Sequence, residues 1–292
     1  MKCLKIIASS FHSRSVRMKT GLNGNPVGYF SHSQNFCSEE EIIDLLKFNL
    51  DRENTLDPGI HQDILIVSSN SKKFDRGSSF LNDLDGSGYN HGTIFARSRE
   101  NIGYSFGAFN YGYQLFKNKY DFYIFTEDDI SIYQENTLVD ALNFWKVSTN
   151  CGFVPFVGQT KISKSHRKAL SIERNDFISC HGGIGMSSAK VLDEVDKKNG
   201  CLPHYSEPDQ SYEKQILKGE IEFTFKIKEL GYSFAEVPKN YIFTAPSYDL
   251  MRGLQIKKFP SFAQKILYYA LQKGAIPIIF KLLVLLKIKK IN

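Results

Sequence analysis

Short apolar runs alternate along this chain with segments whose apolar residues recur at helical spacing. Residues 4–8, 63–68, 93–96, 122–125 and 153–157 are β-prone and apolar, the pattern of strands covered on both faces. Ile42, Ile43, Leu45, Leu46 and Leu50 lie at helical spacing behind Ser38 and Glu41, a capping-box pair. Leu138, Ala141, Leu142 and Trp145 outline a second helix, and Val191, Leu192 and Val195 a third that Ser188 caps. Residues 220–231 read as a fourth: Phe223, Ile227 and Leu230 share a face, Glu222 pairs with Lys226, and Gly231 ends it. Residues 232–237 return as a strand before Pro238. Strands alternating with helices predict an α/β domain with a mostly parallel sheet.

Between these elements the pattern weakens. Residues 12–36 are polar and rich in Gly, Asn and Ser, so they read as a loop or flap. Ser69 to Lys73 leads into a glycine-rich loop through Gly86, Gly88 and Gly92. Gly103, Gly107 and Gly112 allow a helix to approach a sheet or a phosphate, with close packing the simpler reading. Residues 158–175 carry Lys161, Lys164, His166, Arg167, Lys168 and Arg174, read as a solvated loop or a segment over an anionic substrate.

Composition sharpens this picture in two places. The five cysteines, Cys3, Cys37, Cys151, Cys180 and Cys201, are scattered without a CxxC pair, which predicts free thiols rather than a zinc site or disulfide frame. The net charge of +6 is a property of the tail: residues 251–292 hold nine Lys/Arg and no acid, leaving 28 basic against 31 acidic residues, or −3, before it. The apolar part of the first ten residues is too short for a signal peptide. The organisation expected is a catalytic domain over residues 1–245 and a basic, amphipathic helical appendage over 246–292.

The candidate chemistry sits where the strand over 122–125 ends, at Glu127, Asp128 and Asp129. Open α/β sheets bind ligands at the carboxyl ends of their strands, and carboxylates there suit Mg²⁺ or Mn²⁺ beside a diphosphate. Further on, His181, Gly182 and Gly183 form a strand-to-turn segment. Glu220 and Glu222 are either reactive acids or acids complementing a helix dipole.

Asn101-Ile-Gly103 with Gly107 and Asn110, then Glu127-Asp-Asp129, then His181-Gly-Gly183, then Glu220-Ile-Glu222 with Lys226, Gly231, Tyr232 and Pro238 together resemble the inverting family 2 glycosyltransferases. The resemblance covers residues 93–238. It implies a GT-A fold, a Rossmann-like mostly parallel sheet flanked by helices, and a nucleotide-sugar donor with Mn²⁺ or Mg²⁺. It implies metal ligation by Asp129 and Glu127; donor contacts from Ser9, Ser68, Asn101, Glu127 and Asp128; and acceptor contacts from His181, Gly182 and Gly183. Glu220 becomes the general base and Glu222 the fallback. The sequence departs from the family where Ser68 replaces the aspartate that often reads the base, and where Glu220 replaces the usual aspartate of the acidic pair.

Two other classes fit parts of the chain. A GT-A-like nucleotidyltransferase also uses a strand-end acid, but needs a glycine-rich basic loop after the first strand, and residues 9–14 contain no glycine. A non-catalytic membrane-docking module accounts for the tail only. There, Phe262, Ile266, Tyr269 and Ala270 share a helical face, and an apolar run broken by Pro277 and Lys281 ends in lysines. That pattern predicts an anionic membrane surface rather than nucleic acid as partner, at the cytoplasmic side of the cell membrane, with a lipid-linked glycan as acceptor. The alternative is a helical pair packed on the domain or on a second copy in a homo-oligomer.

Overall fold

A computed structural model of the chain describes residues 1–11, 18–20, 26–29, 39–69, 75–172, 178–180, 183–207 and 212–251. The chain opens with β1 (Cys3–Ser9), β2 (Met18–Thr20), β3 (Pro26–Tyr29), α1 (Glu39–Thr55), β4 (Gln62–Ser69) and α2 (Asp75–Leu84). It continues through β5 (Gly88–Tyr89), β6 (Gly92–Arg99), α3 (Tyr104–Phe116), β7 (Phe122–Glu127), β8 (Ile130–Ile132) and α4 (Thr137–Val147). Next come β9 (Cys151–Pro155), β10 (Gln159–Lys161), α5 (Lys164–Ala169), β11 (Ile178–Cys180), β12 (Gly185–Ser188) and α6 (Ala189–Asn199). A continuous helix follows, made of α7 (Tyr212–Gln215), a π-helical turn (Ile216–Ile221) and α8 (Glu222–Glu229). Then come β13 (Ser233–Phe234), β14 (Thr244–Pro246) and α9 (Ser247–Met251).

Eight strands form one sheet in the order β13-β9-β12-β7-β1-β4-β6-β5. The central strands β7, β1, β4 and β6 are parallel, while β12 runs antiparallel to both β7 and β9. This is the mostly parallel, Rossmann-like sheet flanked by helices that the sequence predicts. Strand alternation divides the core. Leu4, Ile6, Leu65, Val67, Tyr123 and Phe125 pack with α3, α6 and α8, whereas Ile7, Ile64, Ile66 and Ile94 pack with α1 and α2. Ile124, Val154 and Met186 meet α4. Lys5 is polar within the first strand yet fully covered; its ammonium pairs with Glu53 of α1, to which Gln62 also donates at 2.9 Å. Pairing is what makes a buried charge there tolerable.

The structure corrects several expectations. The segment 12–36, read as loop, contains β2 and β3 as an antiparallel pair. The region expected to be glycine-rich loop contains α2, whose Phe80, Leu81 and Leu84 pack against the α1 cluster. Gly77 within it is a packing residue: a Cβ there would lie 2.7 Å from the Phe11 ring. Residues 158–175 include β10, which pairs with β11, and α5, which Ser163 caps through the His166 N–H. The fourth helix begins at Tyr212 rather than Glu220, so Glu220 and Glu222 lie inside a longer helix and not in its first turn. Glu222 pairs with Lys218 at 3.3 Å, and Lys226 with Glu229. The strand expected over 232–237 is only β13.

Gly112 confirms close packing, since a Cβ would come within 2.9 Å of Leu65 and 3.0 Å of Ile6. The Ser188 cap is present, accepting from Val191 N at 3.3 Å. At the C-terminal side, β14 pairs with β8 and α9 follows directly. The rest of the appendage, 252–292, lies outside the described residues, as do Ser38 of the α1 capping box and Cys37. Among the described residues, no helix is long and apolar enough to cross a membrane, and Cys3, Cys151, Cys180 and Cys201 are free thiols.

Candidate active site

Parallel strands end together, and their carboxyl ends collect polar residues. In register, Ser9 of β1 stands beside Ser68 of β4, and Ser68 beside Ser98 of β6; Ala8 stands beside Glu127 of β7. Ser69 and Arg99 form the next pair outward. The Arg99 guanidinium donates to Ser69 Oγ at 3.0 Å and to the Ile102 carbonyl, and a Cβ on Gly107 would come within 2.9 Å of it. Burial pulls the Arg99 guanidinium below its ordinary value, the direction expected of a cation withdrawn from water.

The three acids take different directions: Glu127 ends β7, while Asp128 and Asp129 form the turn before β8. Asp128 is fully buried; its Oδ2 accepts from Ser9 Oγ at 2.8 Å and from the Ser10 N–H at 3.4 Å. Asn49 Nδ2 donates to the Asp128 carbonyl at 2.5 Å. Ser9 and Asp128, both expected as donor contacts, are thus bonded to each other beneath the edge, on the α1 side of the sheet. Glu127 is half-buried and points instead toward α3, where Ser105 Oγ donates to its Oε1. Asp129 is also half-buried, and its carbonyl accepts from Ser247 N at 2.8 Å.

The next residue on α3, Phe106, reaches the other expected site segments. Its ring sits where a Cβ on Gly183 would be 2.5 Å away and one on Gly219 2.7 Å away. Gly183 has φ +61°, a left-handed conformation that glycine adopts without strain. Phe106 also packs on Phe109 and Phe223. The first turn of α3 thus joins Glu127 through Ser105 to the Gly183 turn and the π-helical turn through Phe106. Single π turns inside α-helices recur at functional sites because the extra residue re-aims its neighbours. Here that turn carries Glu220, which is half-buried, while the Thr224 hydroxyl donates to the Glu220 carbonyl at 3.0 Å. Burial pushes the Cys180 thiol of β11 up, and the Glu220 carboxylate adds to that shift. Glu222, on Lys218, is committed to an ion pair.

Ser68 Oγ and Asn101 Oδ1 are buried at this edge without a hydrogen-bond partner among the described residues. Such groups cost stability unless a ligand or water meets them. His181 and Gly182 lie outside the described residues. Sequence reading missed Asn49, Arg99, Ser105, Phe106, Ser131 and Ser247; Ser105 and Phe106 stand between Gly103 and Gly107, and that spacing is the signal that could have found them. A cavity of about 490 Å³ lined by Trp145, Lys146, Lys190 and Tyr232 opens at the opposite end of the sheet, away from these residues.

Among the described residues, no group of three or more His, Cys, Asp or Glu side chains is placed to hold a metal ion. Two carboxylates at a strand end still suit a cation such as Mg²⁺, which is bound by one or two carboxylates plus substrate phosphates and water rather than by a protein cage.

No family model and no curated protein sequence matches the chain. Solved structures resemble it at low identity. The mannosyltransferase PcManGT from Pyrobaculum calidifontis, in complex with GDP-Man and Mn²⁺, is 12% identical over 81% of this chain and 54% of its own, with a TM-score of 0.46. TarS from S. aureus is 13% identical over 87% of this chain and 64% of its own, with a TM-score of 0.46. A CMP:2-keto-3-deoxy-manno-octonic acid synthetase complexed with CTP is 12% identical over 87% of this chain and 98% of its own, again at 0.46. This chain thus spans about half of the first of these chains and under two-thirds of the second.

Proposed function

We propose that this protein is a metal-dependent, inverting glycosyltransferase that moves a sugar from a nucleotide-sugar donor to a hydroxyl of a glycan acceptor. The observation that carries this reading is the link through α3: Ser105 holds Glu127 at the strand edge while Phe106 seats the turn bearing Glu220. The first turn of α3 thereby touches both the strand end that carries Glu127, suited to a diphosphate site, and the turn that carries Glu220, suited to an acceptor.

Glu127 and Asp129 would hold Mn²⁺ or Mg²⁺, which when bound neutralises the charge that develops on the departing diphosphate. Ser68 and Asn101 offer their buried polar atoms to the donor. Arg99 adds a fixed positive charge near the anion's path. Glu220 takes the proton of the acceptor hydroxyl during attack, since a neutral hydroxyl is a weak nucleophile. One base and in-line displacement require no covalent intermediate, so the anomeric centre inverts. The basic segment 246–292 holds the enzyme at an anionic, cytoplasmic membrane surface, and the acceptor there is lipid-linked.

The test is a panel of UDP-, GDP-, dTDP- and CMP-sugars incubated with the full chain and Mn²⁺, read by nucleotide release and by thermal shift. Release from one donor, abolished by EDTA and by Asp129→Ala, is expected. Pyrophosphate release from a nucleoside triphosphate and a sugar phosphate, with no release from any sugar nucleotide, would replace this reading with a nucleotidyltransferase.

A further inference from the structure

Ser247, at the start of α9, is fully buried and meets the acidic turn twice. Its N–H donates to the Asp129 carbonyl at 2.8 Å, and its hydroxyl lies 2.9 Å from Ser131 Oγ. Ser131 Oγ in turn bonds Asn49 Oδ1, and Asn49 Nδ2 donates to the Asp128 carbonyl. An amide oxygen only accepts, so the single Ser131 proton goes to Asn49 and Ser247 supplies the proton between the two serines. With Ser9 on the Asp128 carboxylate, the chain of bonds runs Ser247, Ser131, Asn49, Asp128, Ser9. Every member is at most 4% exposed.

Buried polar side chains cost stability unless each is satisfied, and a satisfied network rigidifies what it touches. Asn49 occupies a place on the apolar face of α1 beside Leu45, Leu46 and Leu50, where an aliphatic residue would fill the core by itself. Its two polar ends are used on the turn after β7. The network also reaches across three distant parts of the chain to fix successive carbonyls, those of Asp128 and Asp129.

We propose that Asn49, Ser131 and Ser247 are positioning residues that hold the acidic turn, so that Glu127 and Asp129 keep one geometry at the strand edge. The inference rests on the reading of that turn as the metal and diphosphate site. It makes the segment at 244–251 a structural part of the site, because Ser247 completes the network.

The test uses the full chain with Ser131→Ala and Ser247→Ala, and Asn49→Ala as a harsher third variant. Hydrogen exchange by mass spectrometry reads the turn, and electron paramagnetic resonance of Mn²⁺ titrated alone reads the site. Faster exchange confined to residues 128–132, with Mn²⁺ affinity lowered roughly tenfold, is expected, as for other groups that orient metal ligands. Folded serine variants with wild-type turn exchange and wild-type Mn²⁺ affinity would overturn the proposal, as would faster exchange spread evenly over the sheet. Should Asn49→Ala fail to fold, the two serine variants decide. Should the wild-type protein bind no Mn²⁺, or Asp129→Ala bind it equally, the metal reading of the turn fails, and turn exchange alone then decides whether the network holds it.

Discussion

Ser9 and Asp128 lie 119 positions apart, and the Ser9 hydroxyl donates to the Asp128 carboxylate at 2.8 Å in a fully buried setting. Strands β1 and β7 end side by side, so this bond ties the two strand ends that flank the candidate donor site. A buried hydrogen bond to a charged group contributes about 1.5–3 kcal/mol. Ser9→Ala is therefore expected to lower the thermal midpoint by several degrees and to raise the donor KM only modestly. A large loss of donor binding at unchanged stability, measured by calorimetry and steady-state kinetics, would assign Ser9 to direct donor contact instead.

Glu220 and Glu222 are separated by environment rather than by sequence. Glu222 is held on Lys218, so Glu222→Gln removes one i,i+4 pair, worth about 0.3–0.5 kcal/mol. Glu220→Gln keeps size but cannot accept a proton, and kcat should fall roughly 100-fold with donor KM unchanged. An active Glu220→Gln beside an inactive Glu222→Gln would exchange their roles.

The Phe106 ring fills the space beside Gly219, so Gly219→Ala puts a methyl 2.7 Å from it. Overpacking of this kind costs about 1–3 kcal/mol and shifts the π-helical turn. Turnover should drop in Gly219→Ala and recover in part when Phe106→Leu is added. A double variant no better than Gly219→Ala alone would detach Phe106 from the placement of Glu220.

Burial raises the Cys3 thiol from 9.0 to about 12 and the Cys151 thiol from 9.0 to about 11. Tyr123 is raised from 10.0 to about 12 by the same cause. In the unfolded chain these groups lose protons first, so the folded state binds more protons in this range and stability falls as pH rises from about 9 to 12. Denaturant midpoints should be flat near neutrality and decline above pH 9, and Cys3→Ser should flatten that decline. The thiolate is the reactive form, so in a Cys37→Ser background a thiol reagent at pH 8 should modify half-buried Cys201 before Cys3, Cys151 or Cys180. Equal rates for all four would contradict the burial described here.

Deleting residues 259–292 should release the protein from vesicles of anionic lipid while donor turnover with a soluble acceptor persists. Vesicle sedimentation with and without the deletion measures this. Unchanged binding, or a shorter chain that no longer folds or self-associates, would assign the segment to packing instead.

What the sequence alone determined was local. The apolar run of β7 and the acids directly after it are contiguous, so both the strand and its chemical edge are written within a few residues. The same holds for α1, whose stripe of Ile42, Leu45, Leu46 and Leu50 recurs at helical spacing, and for the Ser188 cap. Tertiary structure decided which partner each side chain took. Asp128, in the turn directly after β7, took Ser9 as its partner, and that neighbour came from a strand over a hundred positions earlier. Glu222 chose Lys218 over Lys226 because the helix began at Tyr212, upstream of where its apolar spacing became readable. The π-helical turn and the Asn49 network had no local pattern at all. They arise from volumes and hydrogen-bond needs that meet only when the sheet, α1, α3 and the C-terminal strand are packed together, and short-range periodicity carries no information about such distant pairings.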